Sequence, residues 1–312
     1  MNALAVVLQQ PEMLKLTRLD LTPATDEDVV VDIEWSGIST GTERLLWTGR
    51  MPQFPGMGYP LVPGYESVGR ITQAGSRSGS TVGERVFVPG AKCFGDVRGL
   101  FGGAASRVVL PGARTMPIAA SLGEKGVLLA LAATAYHIAA GPSLQQPDLI
   151  IGHGVLGRMI ARLAVAAGTA PTVWETNPAR RDGAAGYSVV DPATDTRRDY
   201  RSICDVSGDS ALLDTLISRL APGGEVVLAG FYDKPLSFIF APAFMREARI
   251  RVAAQWQPGD LVAVRDMAES GRLSLDGLIT HRHDAMSADA AYRTAFGDPA
   301  CLKMTLDWRH CS

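Results

Sequence analysis

The chain has 312 residues, which is room for two domains at roughly 150 residues each. Hydrophobic residues make up 46% of it and charged residues 20%, so the composition predicts a folded protein with a large core and excludes a disordered one. The formal net charge is −2 and the basic residues are scattered, which gives no indication of nucleic-acid binding.

No membrane-spanning or secreted segment is expected. The longest apolar stretch, residues 127–140, is shorter than the roughly 20 residues that a spanning helix needs. The apolar run at residues 3–8 is strand-length and has no basic region before it, unlike a signal peptide. The chain has four cysteines without paired spacing, which fits a reducing compartment. We therefore expect a cytoplasmic protein.

The first 120 residues or so are predicted to form strands and turns with little helix. Runs with the alternation and β-branched content of strands occur at residues 29–35, 65–73 and 84–89. Pro and Gly residues between positions 52 and 64 indicate loops. A helix is then predicted at residues 128–139.

From residue 149 onward, short apolar strands alternate with helices. Six strands are predicted, at residues 149–151, 171–174, 188–190, 203–206, 225–229 and 250–254. Six is the strand count of a complete doubly wound sheet, so the predicted fold class of this part is α/β.

The tail is expected to return to the β-rich N-terminal part, because the predicted sheet has no place left for its strands. Its predicted elements are helices at 261–270 and 285–296 and strands at 278–281 and 304–307. A cleft for substrate between the two lobes would follow. The expected domains are residues 1–125, 126–254 and 255–312, with the last segment packing on the first.

A glycine-rich loop follows the first strand of the predicted sheet. Gly152, Gly154 and Gly157 have G-x-G-x-x-G spacing and precede a predicted helix at residues 155–167. The first glycine permits a tight turn, the second lets backbone approach a diphosphate, and the third lets the helix pack on the strand. The pattern predicts a dinucleotide-binding unit rather than a glycine turn without a ligand.

An acidic residue, Glu175, ends the second strand. A carboxylate there accepts hydrogen bonds from the adenosine ribose and repels a 2′-phosphate, so NAD is the expected cofactor. NADP is the alternative, because Arg180 and Arg181 would bind a phosphorylated ribose if Glu175 turned away.

Contacts with the cofactor are expected from the glycine loop, from the end of the second strand, and from the turns after the fourth and fifth strands, since ligands bind at this edge of open α/β sheets. His153 would face the phosphates or the cleft, or else be a solvated loop histidine. The full set is Gly152, His153, Gly154, Val155, Leu156, Gly157, Glu175, Thr176, Asn177, Arg180, Ser207, Gly208, Gly230, Phe231 and Tyr232.

Motifs over essentially the whole chain resemble the medium-chain dehydrogenase/reductase superfamily. They are SGI at 36–38, GTE at 41–43, VPGYESVG at 62–69, GERV at 83–86, GHGVLG at 152–157, DVSG at 205–208 and GGEVV at 223–227. The resemblance implies a β-rich GroES-like catalytic domain beside a doubly wound Rossmann domain.

Longer stretches resemble one family of that superfamily, the dehydrogenases of bacteriochlorophyll biosynthesis. They lie at residues 35–43, 54–61, 174–181 and 278–282. This resemblance implies oxidation of the 3-(1-hydroxyethyl) group of a bacteriochlorophyllide to 3-acetyl, with NAD as hydride acceptor.

The sequence departs from the zinc-dependent members of the superfamily. They have Cys where this chain has Ser39 and Thr40, and His where it has Tyr65. A catalytic zinc needs three N, S or carboxylate ligands, and only Glu43 and Glu66 remain nearby. The four-cysteine lobe of a structural zinc is also missing, so no metal is expected.

Without a metal, an acid/base group or a relay to water must take the alcohol proton. Tyr65 would donate a hydrogen bond to the alcohol, or only pack on the site wall. A glutamate would serve as base if burial raised its pKa, or else be an ordinary salt-bridged carboxylate. The catalytic candidates are Tyr65, Glu66, Glu43, Thr42 and Ser39.

A chlorin is large, flat and mostly apolar, so its site needs a wide apolar slot. Aromatic and Met side chains cluster in a Pro- and Gly-rich loop of the N-terminal lobe, although such side chains also pack under lids without touching substrate. The expected substrate contacts are Trp47, Phe54, Met57, Tyr59 and Trp256.

Two other functions stay open from the sequence: a zinc-free quinone or enone reductase that uses NADPH, and a non-catalytic protein that binds nucleotide or pigment. An exposed edge of the predicted sheet would allow a homodimer to form.

Overall fold

The computed structural model describes residues 1–139, 145–253 and 255–311. The chain divides into two compact units: unit 1 is Met1–Ala130 with Asp276–Ser312, and unit 2 is Leu131–Leu275. Among the described residues, no helix has both the length and the apolar character that crossing a bilayer requires.

Unit 1 is built on β-sheets. One contains β1 (Asn2–Gln10), β2 (Met13–Asp20), β4 (Leu61–Pro63) and β7 (Arg98–Leu100), in the order β2-β1-β4-β7. The strands of the other are β3 (Asp28–Ile38), β5 (Ser67–Ala74), β6 (Arg85–Val88), β8 (Arg107–Pro111), β9 (Met116–Pro117), β16 (His281–Asp284) and β17 (Met304–Asp307). Their order is β16-β17-β3-β5-β6-β9, and β8 also pairs with β3.

The core of unit 1 forms around β3, where Val29, Val30 and Val31 are all fully buried. Two helices of this unit bear on the site, α1 (Thr42–Trp47) and α7 (Ala288–Gly297). β17 pairs antiparallel with β3, with Met304 opposite Ile38. This pairing makes the C-terminal segment part of unit 1.

In the described part of unit 2, six parallel strands form one sheet. They are β10 (Leu149–Ile151), β11 (Thr172–Trp174), β12 (Ser188–Val190), β13 (Tyr200–Asp205), β14 (Leu220–Leu228) and β15 (Arg249–Val252). Their order is β12-β11-β10-β13-β14-β15, so the direction of winding reverses between β10 and β13. The predicted fold class is confirmed.

The helices α3 (Val155–Ala166), α4 (Leu213–Arg219) and α5 (Phe240–Met245) lie between strands of this sheet. α6 (Pro258–Glu269) follows its last strand, β15, and α2 (Leu129–Ala139) spans the sequence boundary between the units. α3 presents Met159, Ile160 and Leu163 as buried residues. This apolar face explains why a helix forms directly after the glycine loop.

Some elements differ from the sequence-based expectation. The strand expected at residues 278–281 is β16, which begins at His281 and has the polar sequence HRHD. It pairs with β17 but has no apolar alternation, so pattern reasoning misplaced it. α1 has six residues and is too short to give a periodic signal. Ala254, the expected end of the sixth strand, lies outside the described residues.

Candidate active site

The glycine loop of unit 2 has the geometry of a diphosphate cradle. Gly152 has φ +103°, which a residue with a side chain adopts only under strain. A Cβ on Gly157 would lie 1.9 Å from the carbonyl oxygen of Gly152, so only glycine lets α3 begin this close to β10. A Cβ on Gly154 would meet nothing within 4 Å, which leaves open space beside the loop.

The N-terminus of α3 faces that open space without a side-chain cap. Gly154 is the N-cap, and no side chain accepts a hydrogen bond there. The first backbone hydrogen bond of the helix runs from Arg158 N to the Gly154 oxygen, at 2.9 Å. The preceding N–H groups, including those of Val155 and Leu156, therefore have no acceptor within the helix and suit an anion.

Glu175 follows β11 beside the glycine loop and is 8% exposed. Its Oε2 accepts from His153 N at 3.0 Å, and its Oε1 accepts from Asn177 N at 2.8 Å. Each carboxylate oxygen can accept a further hydrogen bond. The carboxylate is thus held in place by backbone donors next to Thr176, which is exposed.

The neighbouring arginine Arg181 is held by protein groups. Its Nε donates to the Glu175 backbone oxygen at 2.9 Å, and its guanidinium also donates to the Thr176 oxygen at 3.1 Å. A salt bridge of 2.6 Å joins it to Asp191. These contacts occupy the Arg181 guanidinium, so it is poorly placed to bind a phosphate.

His153 lies in the glycine loop, but its ring is fully buried. Nδ1 is 2.6 Å from the Arg180 carbonyl oxygen, which can only accept, so Nδ1 carries the proton. Nε2 then accepts from Tyr187 Oη at 2.8 Å. Burial lowers the pKa of His153 to about 4, so the ring is neutral near pH 7. The ring points into unit 2, whereas the sequence suggested that it faces the phosphates, the cleft or solvent.

The turns after β13 and β14 meet at Asp205. Ser207 donates to Asp205 Oδ1 from its backbone N at 2.9 Å and from its hydroxyl at 2.6 Å. Tyr232 Oη donates to Asp205 Oδ2 at 2.9 Å. A Cβ on Gly230 would lie 2.8 Å from Gly208 N, so these turns need glycine to approach this closely.

Asp205 holds two predicted cofactor-binding turns together, although the sequence reasoning gave it no role. It ends β13 and is 2% exposed. Burial raises its pKa, partly offset by the hydrogen bonds from Ser207 and Tyr232. The available signal for Asp205 was its place as an acidic residue at the end of a buried strand. Phe231, in the turn after β14, is 52% exposed.

In unit 1, three predicted catalytic hydroxyl groups come together. Ser39 Oγ lies 2.8 Å from Tyr65 Oη, and Thr42 Oγ1 lies 3.4 Å from the same atom. The Tyr65 ring packs edge-on against Phe101, with centroids 5.5 Å apart. Burial raises the pKa of Tyr65 well above its usual value, so the phenol stays protonated at neutral pH.

Glu43 is buried beneath these hydroxyl groups at 1% exposure. Its Oε1 accepts from Ser39 N at 3.0 Å, and its Oε2 accepts from Tyr292 Oη at 2.5 Å. Burial raises the pKa of Glu43 to about 7. Tyr292 lies on α7 and was not recognised from the sequence, because it is separated from Glu43 by most of the chain.

Glu66 forms a buried ion pair with Lys303 at 2.6 Å. Lys303 also donates to the Ile38 oxygen at 3.2 Å. Glu66 and Lys303 lie close together because they immediately precede β5 and β17, which both pair with β3. Gly37 leaves room for the carboxylate, since a Cβ there would lie 2.3 Å from Glu66 Oε2. Glu66 Oε1 is buried with no hydrogen-bond partner among the described residues.

Lys303 was also missed by the sequence reasoning. Its surroundings in the chain, Cys-Leu-Lys-Met-Thr-Leu, are mostly apolar, and a lysine inside such a run was the available signal. Within the described ranges, no three His, Cys, Asp or Glu side chains are grouped so that they would hold a metal ion.

The predicted substrate contacts lie in different environments. Trp47 is 6% exposed, and its ring packs on Tyr292 and Phe296, so it belongs to the core of unit 1. Phe54 is 38% exposed. Met57 and Tyr59 are half-buried, and Tyr59 Oη donates to the Leu46 oxygen. Trp256, in unit 2, is half-buried.

The fold and these sites define the class of protein: a medium-chain dehydrogenase/reductase. Residues 25–120 match the alcohol dehydrogenase GroES-like domain family. An alcohol dehydrogenase of Escherichia coli CFT073, solved in complex with NADH, superposes with a TM-score of 0.83 at 19% identity, covering 98% of this chain and 99% of that one.

Two curated relatives narrow the class. The chain is 57% identical over 311 residues to 2-desacetyl-2-hydroxyethyl bacteriochlorophyllide A dehydrogenase of Rhodobacter capsulatus, and 57% identical over 315 residues to the Cereibacter sphaeroides protein of the same name. Each match covers 99% of both chains. The chain belongs to this family of bacteriochlorophyllide dehydrogenases, which confirms the resemblance stated from the sequence.

Proposed function

We propose that the protein oxidises the 3-(1-hydroxyethyl) group of a bacteriochlorophyllide to a 3-acetyl group, with NAD as the hydride acceptor. The observation that carries this proposal is 57% identity over 99% of the chain to relatives named for that reaction. In the reaction the carbinol C–H bond breaks as a hydride leaves, and the O–H bond breaks as a proton leaves. A bound nicotinamide supplies the hydride acceptor.

The residues of unit 2 fit NAD. The open space at Gly154 and the uncapped start of α3 suit a diphosphate. Glu175 suits a free ribose diol, and its charge disfavours a 2′-phosphate. Arg181, one of the two arginines named for the NADP alternative, is paired with Asp191. We therefore favour NAD over NADP, with Ser207, Gly208 and the 230–232 turn as further contacts.

In unit 1, Tyr65 is the proposed partner of the substrate hydroxyl. Its phenol stays protonated, so it takes the alcohol proton only as it passes its own to Ser39. Thr42 lies within reach of the same oxygen and extends this relay. Glu66 Oε1 has no partner among the described residues, and we propose it as the final proton acceptor. Because no direct hydrogen bond joins Glu66 to Ser39 or Thr42 in that part of the chain, a water would carry the proton from the relay to this oxygen.

Glu43 has a supporting role in this proposal. Its Oε1 accepts the Ser39 N–H and its Oε2 accepts the Tyr292 hydroxyl, so we give it the role of orienting Ser39. The zinc positions of the superfamily hold the hydrogen-bonded Ser39 and Tyr65, neither of which is a thiolate or an imidazole, so we propose a zinc-independent reaction.

For the chlorin we propose contacts from the exposed Phe54, from Met57 and Tyr59, which are half-buried in the same loop, and from Trp256. The ring of Trp47 is buried, and we propose that it supports α1 rather than contacting the chlorin. The four cysteines all lie in the described part of the chain, where they are buried and form no disulfide, which fits the cytoplasm.

We also propose a homodimer through the outer edge of β15. Ala253 N donates to Leu228 O, so by alternation the N–H groups of Ile250 and Val252 point away from β14. Val252 is 76% exposed, and Met245 on the adjoining α5 is 75% exposed. An unpaired apolar edge of this kind favours pairing with a second copy. Light scattering on the parent and Val252→Lys tests this, the variant being expected to shift toward monomer.

The function is tested with purified protein, NAD and the hydroxyethyl pigment, by following NADH formation and the pigment's red absorption band together. Tyr65→Phe is expected to lower kcat by about 10²–10⁴-fold with the pigment still bound. Ser39→Ala added to it should cost little more, because the two hydroxyl groups act as one relay.

Phe101→Leu serves as the control, since it alters the ring packed on Tyr65 and leaves the hydroxyl groups in place. An unchanged pigment spectrum with NAD bound would count against the proposal and indicate a binding protein. NADPH-dependent reduction of a quinone or enone, without pigment oxidation, would indicate the alternative reductase. Activity that survives chelation, without stoichiometric zinc by elemental analysis, is the result expected for the metal-free reaction.

A further inference from the structure

A buried arginine lies in the first turns of α3. Arg158 is 5% exposed. Its Nε donates to the His153 oxygen at 3.0 Å, and one terminal nitrogen donates to the oxygens of Arg180 and Asp182 at 2.9 and 2.8 Å. All three acceptors are backbone carbonyls. Burying a cation is unfavourable, so a guanidinium held here must be matched by specific contacts.

These contacts join the glycine loop to the segment that follows Glu175. His153 is held from several sides: its N–H by Glu175, its carbonyl by Arg158, and its ring by the Arg180 oxygen and Tyr187. The Arg180 oxygen accepts from both the His153 ring and Arg158. The loop and the carboxylate therefore form one braced unit.

Protein groups also enclose the rest of the Arg158 guanidinium. Residue 183 covers its other terminal nitrogen, since a Cβ on Gly183 would lie 2.6 Å from that atom. The guanidinium is thus enclosed between α3 and the 180–183 segment. It acts by position and by charge from within the protein.

We propose that Arg158 is a specificity-determining positioning residue that holds Glu175 against the glycine loop and so makes the site select NAD over NADP. The inference rests on the proposed binding of NAD at this loop. Without Arg158, the 180–182 carbonyls lose their donor and the Glu175 carboxylate loses its nearby positive charge. Glu175 is then free to withdraw from the ribose position, which removes both its bond to the diol and its repulsion of a phosphate.

The test is calorimetric titration of NAD and NADP into the full-length parent protein and into Arg158→Met. We expect the Kd for NAD to rise roughly tenfold, the loss of about one charge-assisted hydrogen bond, while the Kd for NADP changes by less than about twofold. Amide hydrogen exchange over residues 178–187 should become faster in the same variant. The matched control is Arg162→Met, one turn along α3, whose guanidinium donates to the Ser274 oxygen.

Arg158→Lys separates charge from bridging. It keeps the cation but cannot bond three carbonyls in a fixed fork, so it should restore less than half of the lost preference on a logarithmic scale. If Arg158→Met does not fold, Arg158→Lys and Tyr187→Phe decide in the same titration. Tyr187→Phe removes the donor to the His153 ring and should lower the NAD preference about twofold or more.

An equal loss of affinity for both cofactors would assign Arg158 a merely structural role and overturn the proposal. So would an unchanged ratio of the two Kd values in Arg158→Lys and Tyr187→Phe. A parent protein that binds neither cofactor would instead overturn the proposed function itself. The two failures are therefore distinguishable.

Discussion

Replacing Glu43 with Gln is expected to stabilise the protein more as the pH rises. Burial raises the pKa of Glu43 from 4.5 to about 7. An acid with a raised folded pKa keeps its proton in the native state where the unfolded chain has lost it. Its contribution to stability therefore falls as the pH rises from 4.5 to about 7, and the full cost is present above that range.

The size of this effect follows from the two pKa values. At about 1.4 kcal/mol for each pKa unit, ionising the buried Glu43 carboxyl costs about 3 kcal/mol at high pH. Gln does not ionise, and its amide still offers an acceptor to Ser39 N and a donor to the Tyr292 oxygen. The variant should therefore lack this pH-dependent loss while keeping both contacts.

Urea unfolding followed by tryptophan fluorescence, from about pH 5 to about pH 8, measures the difference. The stability advantage of Glu43→Gln over the parent should grow by up to about 3 kcal/mol across this range. Glu27→Gln is the control, because that carboxylate is 69% exposed in the same unit and its replacement should leave the profile unchanged. A constant difference between parent and Glu43→Gln at every pH would refute the reasoning.

Other outcomes follow from the same contacts. Gly157→Ala places a Cβ 1.9 Å from the Gly152 oxygen, so it should destabilise unit 2 by about 1–3 kcal/mol in thermal unfolding. It should also weaken NAD binding in calorimetry, and an unchanged affinity would contradict the proposal that the glycine loop holds the diphosphate. Lys303→Met leaves the Glu66 carboxylate buried and unpaired and should cost about 3–5 kcal/mol in urea unfolding, with partial recovery when Glu66→Gln is added. Additive losses in that double variant would argue against the ion pair. Burial lowers the pKa of His153 from 6.5 to about 4, so its ring resists protonation in the native state while the unfolded chain takes up the proton. The contribution of His153 to stability should therefore fall by about 3 kcal/mol as the pH falls through this window, opposite in sign to that of Glu43. A His153→Asn variant with an equally steep acid loss would assign that loss to other groups.

The nucleotide-binding half could be predicted from the sequence because its signals are local. The spacing of Gly152, Gly154 and Gly157 directly limits the backbone, and Glu175 follows the next strand. Positive φ and close backbone approach are properties of a few adjacent residues, so they can be read without knowing the packing. The same is true of alternating strands and helices, which predicted the parallel sheet.

Local pattern reasoning does not give side-chain direction. His153 was correctly placed in the glycine loop, but only the structure shows its ring turned inward to Tyr187 and the Arg180 oxygen. Arg158 occupies a helix position that suits a solvated arginine, yet the folded chain encloses it. Direction depends on which segments pack over a residue, and those segments are not its sequence neighbours.

The charge pattern of the catalytic candidates was decided by tertiary structure alone. Glu43 and Glu66 were named from their place in a motif, but their partners Tyr292 and Lys303 come from the other end of the chain. A carboxyl group has its ordinary pKa until burial removes water and a distant side chain supplies a proton donor or a cation. The sequence therefore determined the backbone conformations and the residue types at each site, while long-range packing decided which groups are buried, which are paired and which stay charged.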